Sequence, residues 1–273
     1  MGTNSFDVIG RARENWTVLP PLKLRGAGTP LVESLHSFVG RILAATGTGS
    51  KYLANELGFE SPKRLINIGG FIRSNEPELL EAAVDEIQRL TGADGLRSGT
   101  FWSLSKILTA DHQSTNKNCS RRWCPVCYKE WGEESYEPLA WTVDLLRTCP
   151  AHGCLLNNAC WSCERPQRRL LAVSRRGFCT TCGADLSASV QRTKLHPFLQ
   201  WIERQVLDVI EFCGDLRAEP VSYDVLGDFV QGIKRQAGGR RGDILARQIK
   251  QFASCAKLRR RRVDLAPVSR TPG

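Results

Sequence analysis

Within 59 consecutive residues, seven cysteines and one histidine form four pairs with two residues between: Cys124-Pro-Val-Cys127, Cys149-Pro-Ala-His152, Cys160-Trp-Ser-Cys163 and Cys179-Thr-Thr-Cys182. At that spacing a tight turn brings two side chains onto one metal ion without straining the backbone. Four pairs make two complete tetrahedral sets. A segment built this way folds around its ions rather than around a large apolar core. The expected cofactor is Zn²⁺, two per chain.

A disulfide framework fits less well. The chain has 273 residues and 11 cysteines, an odd number, and its N-terminus is polar with no secretory pattern. Metal-bound thiolates in a reducing compartment fit better. No apolar run approaches the length of a membrane span, so a soluble, cytoplasmic protein with no membrane partner is expected.

Two groupings of the pairs are open. Sequential grouping joins Cys124, Cys127, Cys149 and His152, then Cys160, Cys163, Cys179 and Cys182. Interleaved grouping joins first with third and second with fourth. The sequential sets would enclose loops of 21 and 15 residues, suited to compact ribbons or knuckles, and are favoured. Cys154, two residues after His152, is a competing ligand, but the paired spacing favours His152. Cys119 and Cys255 are left over, and Cys213 falls in an apolar helical pattern as a core residue.

Four strong protein ligands per ion leave no open position for water or substrate, so the sites read as structural. The deaminase pattern, His-Glu-x-x-His and a Walker-type glycine loop are all missing, and no nucleophile elbow is recognisable. The chain is expected not to be an enzyme.

The formal net charge is +10, and it is unevenly placed: +1 over residues 1–118, +2 over 119–187 and +7 over 188–273. In the last third, Lys234, Arg235, Arg240, Arg241, Arg247, Lys250, Lys257 and the run Arg259, Arg260, Arg261, Arg262 are opposed only by Asp243. Such density suits a phosphate backbone, so this segment is the expected surface for double-stranded DNA. The bland alternative is a solvated tail.

Helical periodicity flanks the metal region. Residues 1–28, with Leu19-Pro20-Pro21, read as an extended arm. Leu35, Phe38, Val39 and Ile42 predict a helix over about Val32 to Ala45, and Gly47 and Gly49 break it. A short helix over about Ser50 to Leu57 ends at Gly58, giving a helix-turn-helix outline. Pro77 opens a further helix, with Leu79, Leu80, Ala83, Ile87 and Leu90 as its stripe and Gly92 as its stop. Residues 100–118 read as a polar lead-in. After Cys182, stripes recur at Phe198, Leu199, Ile202, Val206, Val209 and Ile210, at Val225, Leu226, Phe229 and Ile233, and at Ile244, Leu245, Ile249 and Phe252. The expected fold is mainly α with small zinc-ribbon or knuckle β elements. Its units are an arm (1–28), a helical, helix-turn-helix-like domain (29–118), a tandem zinc module (119–187), a basic helical domain (188–262) and a disordered tail (263–273).

The residues resemble the TniQ/TnsD family of bacterial transposon target-selection proteins. Glu33-Ser34-Leu35-His36-Ser37-Phe38, with Arg41 and Gly47 following a proline-rich lead-in, is similar to the family's N-terminal signature, with Phe38 where tryptophan is commoner. Cys124-Pro-Val-Cys127, Trp141 and Cys149-Pro-Ala-His152-Gly153 with Leu155-Leu156 resemble its first zinc motif, and a second four-cysteine site follows. The resemblance implies a non-catalytic adaptor in the bacterial cytoplasm at the nucleoid. Such an adaptor links target DNA, or an RNA-guided CRISPR effector, to an AAA+ transposition ATPase (TnsC-like) and its transposase. A homodimer is left open, as are the target sequence and the identity of any effector. The competing reading is a zinc-containing DNA-binding transcriptional regulator using the same helices and basic surface. Trp123, Trp131 and Trp141 either pack on the metal knuckles, which is favoured, or stay partly exposed for a partner.

Overall fold

The computed structural model describes residues 17–49, 53, 55, 77–105, 121–167, 176–217 and 219–221. The basic residues from Lys234 to Arg262, the apolar stripes at 225–233 and 244–252, residues 1–16 of the arm, Cys119 and Cys255 lie outside them. So does most of the expected helix at 50–57, where Leu53 and Asn55 alone are described, both helical.

The described chain is mainly helical. Its β content is a handful of isolated antiparallel bridges, most of them in the cysteine-rich region. Helix α1 spans Leu35–Thr46, with the Ser34 hydroxyl accepting from the Ser37 amide at its start and Gly47 in the left-handed region (φ 62°) at its end. The expected start at Val32 is three residues early for a physical reason. Val32 and Ser34 pair with residues 137–139: the Leu139 amide donates to the Val32 carbonyl at 2.8 Å, and the Ser34 amide to the Glu137 carbonyl at 2.9 Å. Extended pairing on one side and a serine cap on the other fix the helix start between them.

Helix α2 spans Pro77–Thr91, with proline at its first position. Leu80, Ala83, Val84, Ile87 and Leu90 turn inward and meet Leu35, Phe38, Val39 and Ile42 of α1 in one buried cluster. Leu19 is in the same cluster, and its amide donates to the Leu90 carbonyl at 2.9 Å. Two short 3₁₀ turns, Leu96–Gly99 and Trp102–Leu104, follow. Gly99 is pressed against α1's entry: a Cβ there would stand 2.6 Å from the Glu33 carbonyl oxygen. Of the expected polar lead-in, residues 100–105 are described, and Phe101 and Trp102 there are both buried.

A second cluster is built around the cysteines themselves. Helix α3, Pro125–Trp131, starts inside the first ligand pair, with Cys124 as its cap residue and Pro125 at its first position. Trp123 and Trp141 are buried in this cluster, and Trp131 lies between Tyr136 and Trp141, with ring centroids 4.3 and 5.8 Å away. Those tryptophans therefore pack on the metal region, with Trp131 partly exposed.

Helix α4, Pro197–Gly214, closes this cluster with Val206, Ile210 and Cys213. It also lies against the two 3₁₀ turns of the first cluster. Burial pushes the Cys213 thiol up to about 12, as suits a core sulfur. The predicted stripe splits in two: Ile202, Val206 and Ile210 are covered, while Phe198 and Val209 remain exposed, as do Trp201 and Phe212, which the stripe did not include. No described helix is long and apolar enough to cross a membrane.

Candidate metal centres

The eight expected ligands gather in two groups, Cys124, Cys127, Cys149 and His152, and Cys160, Cys163, Cys179 and Cys182. Within each group the ligand atoms all lie within 4.8 Å of one another. The grouping is the sequential one.

The spacing tests whether an ion fits. A tetrahedral centre with metal–sulfur bonds of about 2.3 Å and metal–nitrogen bonds of about 2.0 Å has S···S edges near 3.8 Å and S···N edges near 3.5 Å. In the first group Cys127 Sγ stands 3.6 Å from Cys149 Sγ. His152 Nδ1 stands 3.5, 3.3 and 3.6 Å from the sulfurs of Cys124, Cys127 and Cys149. In the second group Cys160 to Cys182 and Cys163 to Cys179 are both 3.7 Å. These are the edges of two four-donor tetrahedra, so each group can hold a metal ion. A thiolate-rich set of this shape is consistent with zinc.

Three of the four pairs sit on the same backbone turn. The amide of the first cysteine donates to the carbonyl five residues on: Cys149 to Cys154 at 2.8 Å, Cys160 to Arg165 at 3.0 Å and Cys179 to Ala184 at 2.8 Å. The residue four on returns a bond to the first cysteine's carbonyl and adopts a left-handed φ: Gly153 62°, Glu164 58° and Gly183 75°. Glycine takes that conformation freely, and Glu164 is the described non-glycine residue that must take it. Amides inside these turns point at sulfur, as from Ser162 to Cys160 at 3.4 Å and from Thr181 to Cys179 at 3.4 Å. Such bonds stabilise thiolate over thiol. The pair at Cys124 differs by using the first turn of α3, whose Cys127 amide lies 3.4 Å from the Cys124 sulfur.

Each centre has a polar partner that the spacing argument did not name. Glu130, at the end of α3, places a carboxylate oxygen 3.0 Å from His152 Nε2. With Nδ1 facing the sulfurs, Nε2 carries the proton, and the carboxylate fixes ring and tautomer. At the second centre Gln167 is fully buried. Its amide nitrogen donates to Cys179 Sγ at 3.2 Å, and its amide oxygen accepts from the Thr180 amide at 2.9 Å. Neither residue belongs to a ligand pair, so only the folded geometry reveals them.

A charged seam joins the first centre to α1. Glu33 is fully buried and takes Arg41 at 2.6 Å and the Ser37 hydroxyl at 2.7 Å. Arg176, just before the last ligand pair, donates to the Ser37 carbonyl at 2.7 Å. Arg121 is also fully buried and pairs with Glu137 at 2.6 Å and with the Tyr128 hydroxyl at 2.7 Å. Burial alone would lower the Arg121 pKa, but Tyr128 and Glu137 hold it above its ordinary value. Of the residues that carried the N-terminal resemblance, Ser37 fastens α1 to the cysteine-rich region, through Arg176 and the Glu137 amide, while Glu33 and Arg41 brace it from their own side.

Among curated proteins no match to the chain is found. A family match covers residues 25–156, from the turn before α1 through the first donor set. It includes the Glu33 to Arg41 signature and the Cys124, Cys127, Cys149 and His152 centre, and it ends before the second centre. Residues 25–156 match the TniQ family of transposition-associated proteins, the family that the two motifs pointed to.

Proposed function

We propose that this protein is a non-catalytic adaptor of DNA transposition. It selects the target site by linking target DNA, or an RNA-guided effector, to the AAA+ ATPase and transposase of its element. The TniQ domain over residues 25–156 carries the reading. Two four-donor metal groups support it, because a closed tetrahedron stiffens a surface and offers no position to a reacting substrate. The ion in each is zinc. DNA contact is assigned to the basic segment from Lys234 to Arg262, acting mainly on phosphates.

Reconstituted integration tests the reading. The protein, ATPase and transposase are combined with donor and target DNA, with and without the effector of the same element. Integration at the selected site should require the full chain, and ATP-dependent co-precipitation should retain the ATPase on it. Site-selected integration that proceeds equally well without the chain would overturn the adaptor role. If the chain instead binds one operator and never the ATPase, the transcriptional reading takes its place.

A further inference from the structure

A polar cavity of about 430 Å³ draws its lining from the surroundings of both metal centres. Trp161 comes from the Cys160 turn, Arg147 from the approach to Cys149, Asn158 from the stretch between the centres and Gln191 from the chain beyond the second. Trp161 is 54 % exposed, yet its indole N–H donates to the Asp185 carbonyl at 2.7 Å. The ring is thereby held in one orientation with much of its surface open to solvent. Among the described residues, the side chains of Arg147, Asn158 and Gln191 have no hydrogen-bond or ion-pair partner. Asp144, the acidic residue of the lining, faces Arg122 at 3.9 Å, and Arg122 also donates to the carbonyls of Trp141, Val143 and Leu146. The positive charge of Arg147 is therefore left unanswered.

A fixed aromatic face, a free guanidinium and two free amides suit the three parts of a nucleotide. The ring takes the face of the base, the cation its phosphate, and the amides its edge. A duplex does not fit that arrangement, because its bases cover one another's faces and show only edges in the grooves. A protein-docking face is apolar at its centre, whereas most residues lining this cavity are polar. Positive charge continues along the chain: Gln191 is followed by Arg192 and Lys194, which line a neighbouring cavity of about 530 Å³. The acidic residue there, Glu203, is already taken up by the Arg147 and Thr148 amides and the Thr148 hydroxyl. We infer that this cavity binds single-stranded nucleic acid, with the base of one unstacked nucleotide on Trp161 and its phosphate at Arg147. The site is separate from the basic segment at Lys234 to Arg262, and the adaptor reading neither requires nor forbids it.

The experiment uses the full chain with Arg259, Arg260, Arg261 and Arg262 replaced by alanine, so that phosphate contacts of that run do not mask the cavity. Fluorescence anisotropy compares short oligo-dT, short oligo-U and a mixed-sequence duplex. Trp161→Ala should weaken binding of the single strands about 10-fold and leave duplex binding unchanged. Trp161→Phe keeps a ring face and should retain most of the affinity. Arg147→Ala should lower the salt slope for the single strands by about 0.7, the share of one phosphate. Iodouracil placed in either strand should photo-crosslink to Trp161, and the stronger of the DNA and RNA arms identifies the source of the strand. Far-UV circular dichroism checks that each variant is folded; if Trp161→Ala is not, Arg147→Ala decides. Single-strand affinity unchanged in the deciding variant, or lost equally for duplex, would overturn the inference. So would crosslinks confined to other residues. A Trp161 variant that keeps its strands but no longer retains the ATPase would give this face to a protein partner, and the inference would fall.

Discussion

At the scale of single residues the three repeated turns make a sharp comparison, because the same backbone conformation carries glycine twice and glutamate once. Gly153 and Gly183 have open space where a Cβ would stand, so only their left-handed φ opposes a side chain. A non-glycine residue in that region costs about 1–2 kcal/mol. Glu164→Gly should therefore stabilise the zinc-loaded protein by about 0.5–1 kcal/mol after the entropy of glycine in the unfolded chain is counted. Gly153→Ala should destabilise it by about 1 kcal/mol. Urea unfolding in excess zinc and reductant measures both, and equal midpoints for Glu164→Gly and wild type would show that the turn is unstrained. Glu130 gives a second test. Without its carboxylate the His152 ring loses its orienting partner, and Glu130→Ala should weaken the first site about 10–100-fold while leaving the second unchanged. Chelator competition resolves the two sites.

At the scale of elements, α4 is held by one carboxylate. Glu203, buried on α4, accepts the Arg147 and Thr148 amides at 2.6 and 2.8 Å and the Thr148 hydroxyl at 2.5 Å. Those residues lead directly into Cys149, so the helix and the first centre share an anchor. Glu203→Ala leaves two amides without a partner in a buried place. It should cost about 2–3 kcal/mol, with the loss seen as faster hydrogen exchange at Arg147 and Thr148; unchanged exchange there would remove the anchor. Sequence reasoning reached the helix but not the anchor. Periodicity finds an apolar face, and Ile202, Val206 and Ile210 are covered as expected. It does not tell which side of a broad stripe meets a neighbour, and Phe198 and Val209 are exposed. The same limit explains α1. Its apolar spacing located the helix, whereas its first residue is set by pairing with residues 137–139, about a hundred positions away. The ligand pairs were legible because a metal demands fixed local spacing. Glu130 and Gln167 were not, because outer partners need only be close in space.

At the scale of the whole molecule, the two clusters should respond differently to loss of metal. The first is made of aliphatic and aromatic side chains from α1, α2 and Leu19, and contains no cysteine. The second counts Cys124, Cys127, Cys149, Cys160 and Cys179 among its buried members, so the side chains that would hold the ions are also part of its packing. Structural zinc contributes on the order of 10–16 kcal/mol per site in finger peptides. Small domains have about 5–15 kcal/mol in all. The second cluster is therefore expected to unfold when its metal is removed, while the first keeps its own apolar core. The seam between them crosses at Ser37, which meets Arg176 and the Glu137 amide, so α1 should loosen at its first turn without melting. Treating the reduced protein with a strong chelator should release two zinc ions. Amide exchange in α3 and α4 should then become fast, while the α2 amides and those of α1 beyond its first turn stay protected. Serine at Cys160 should give a milder version, with one zinc lost and the turns from Cys160 to Leu186 opened. Simultaneous loss of protection in α2 and α4 at the same chelator concentration would show instead that the two clusters fold as one unit, and that the charged seam transmits the loss of metal through the entire protein.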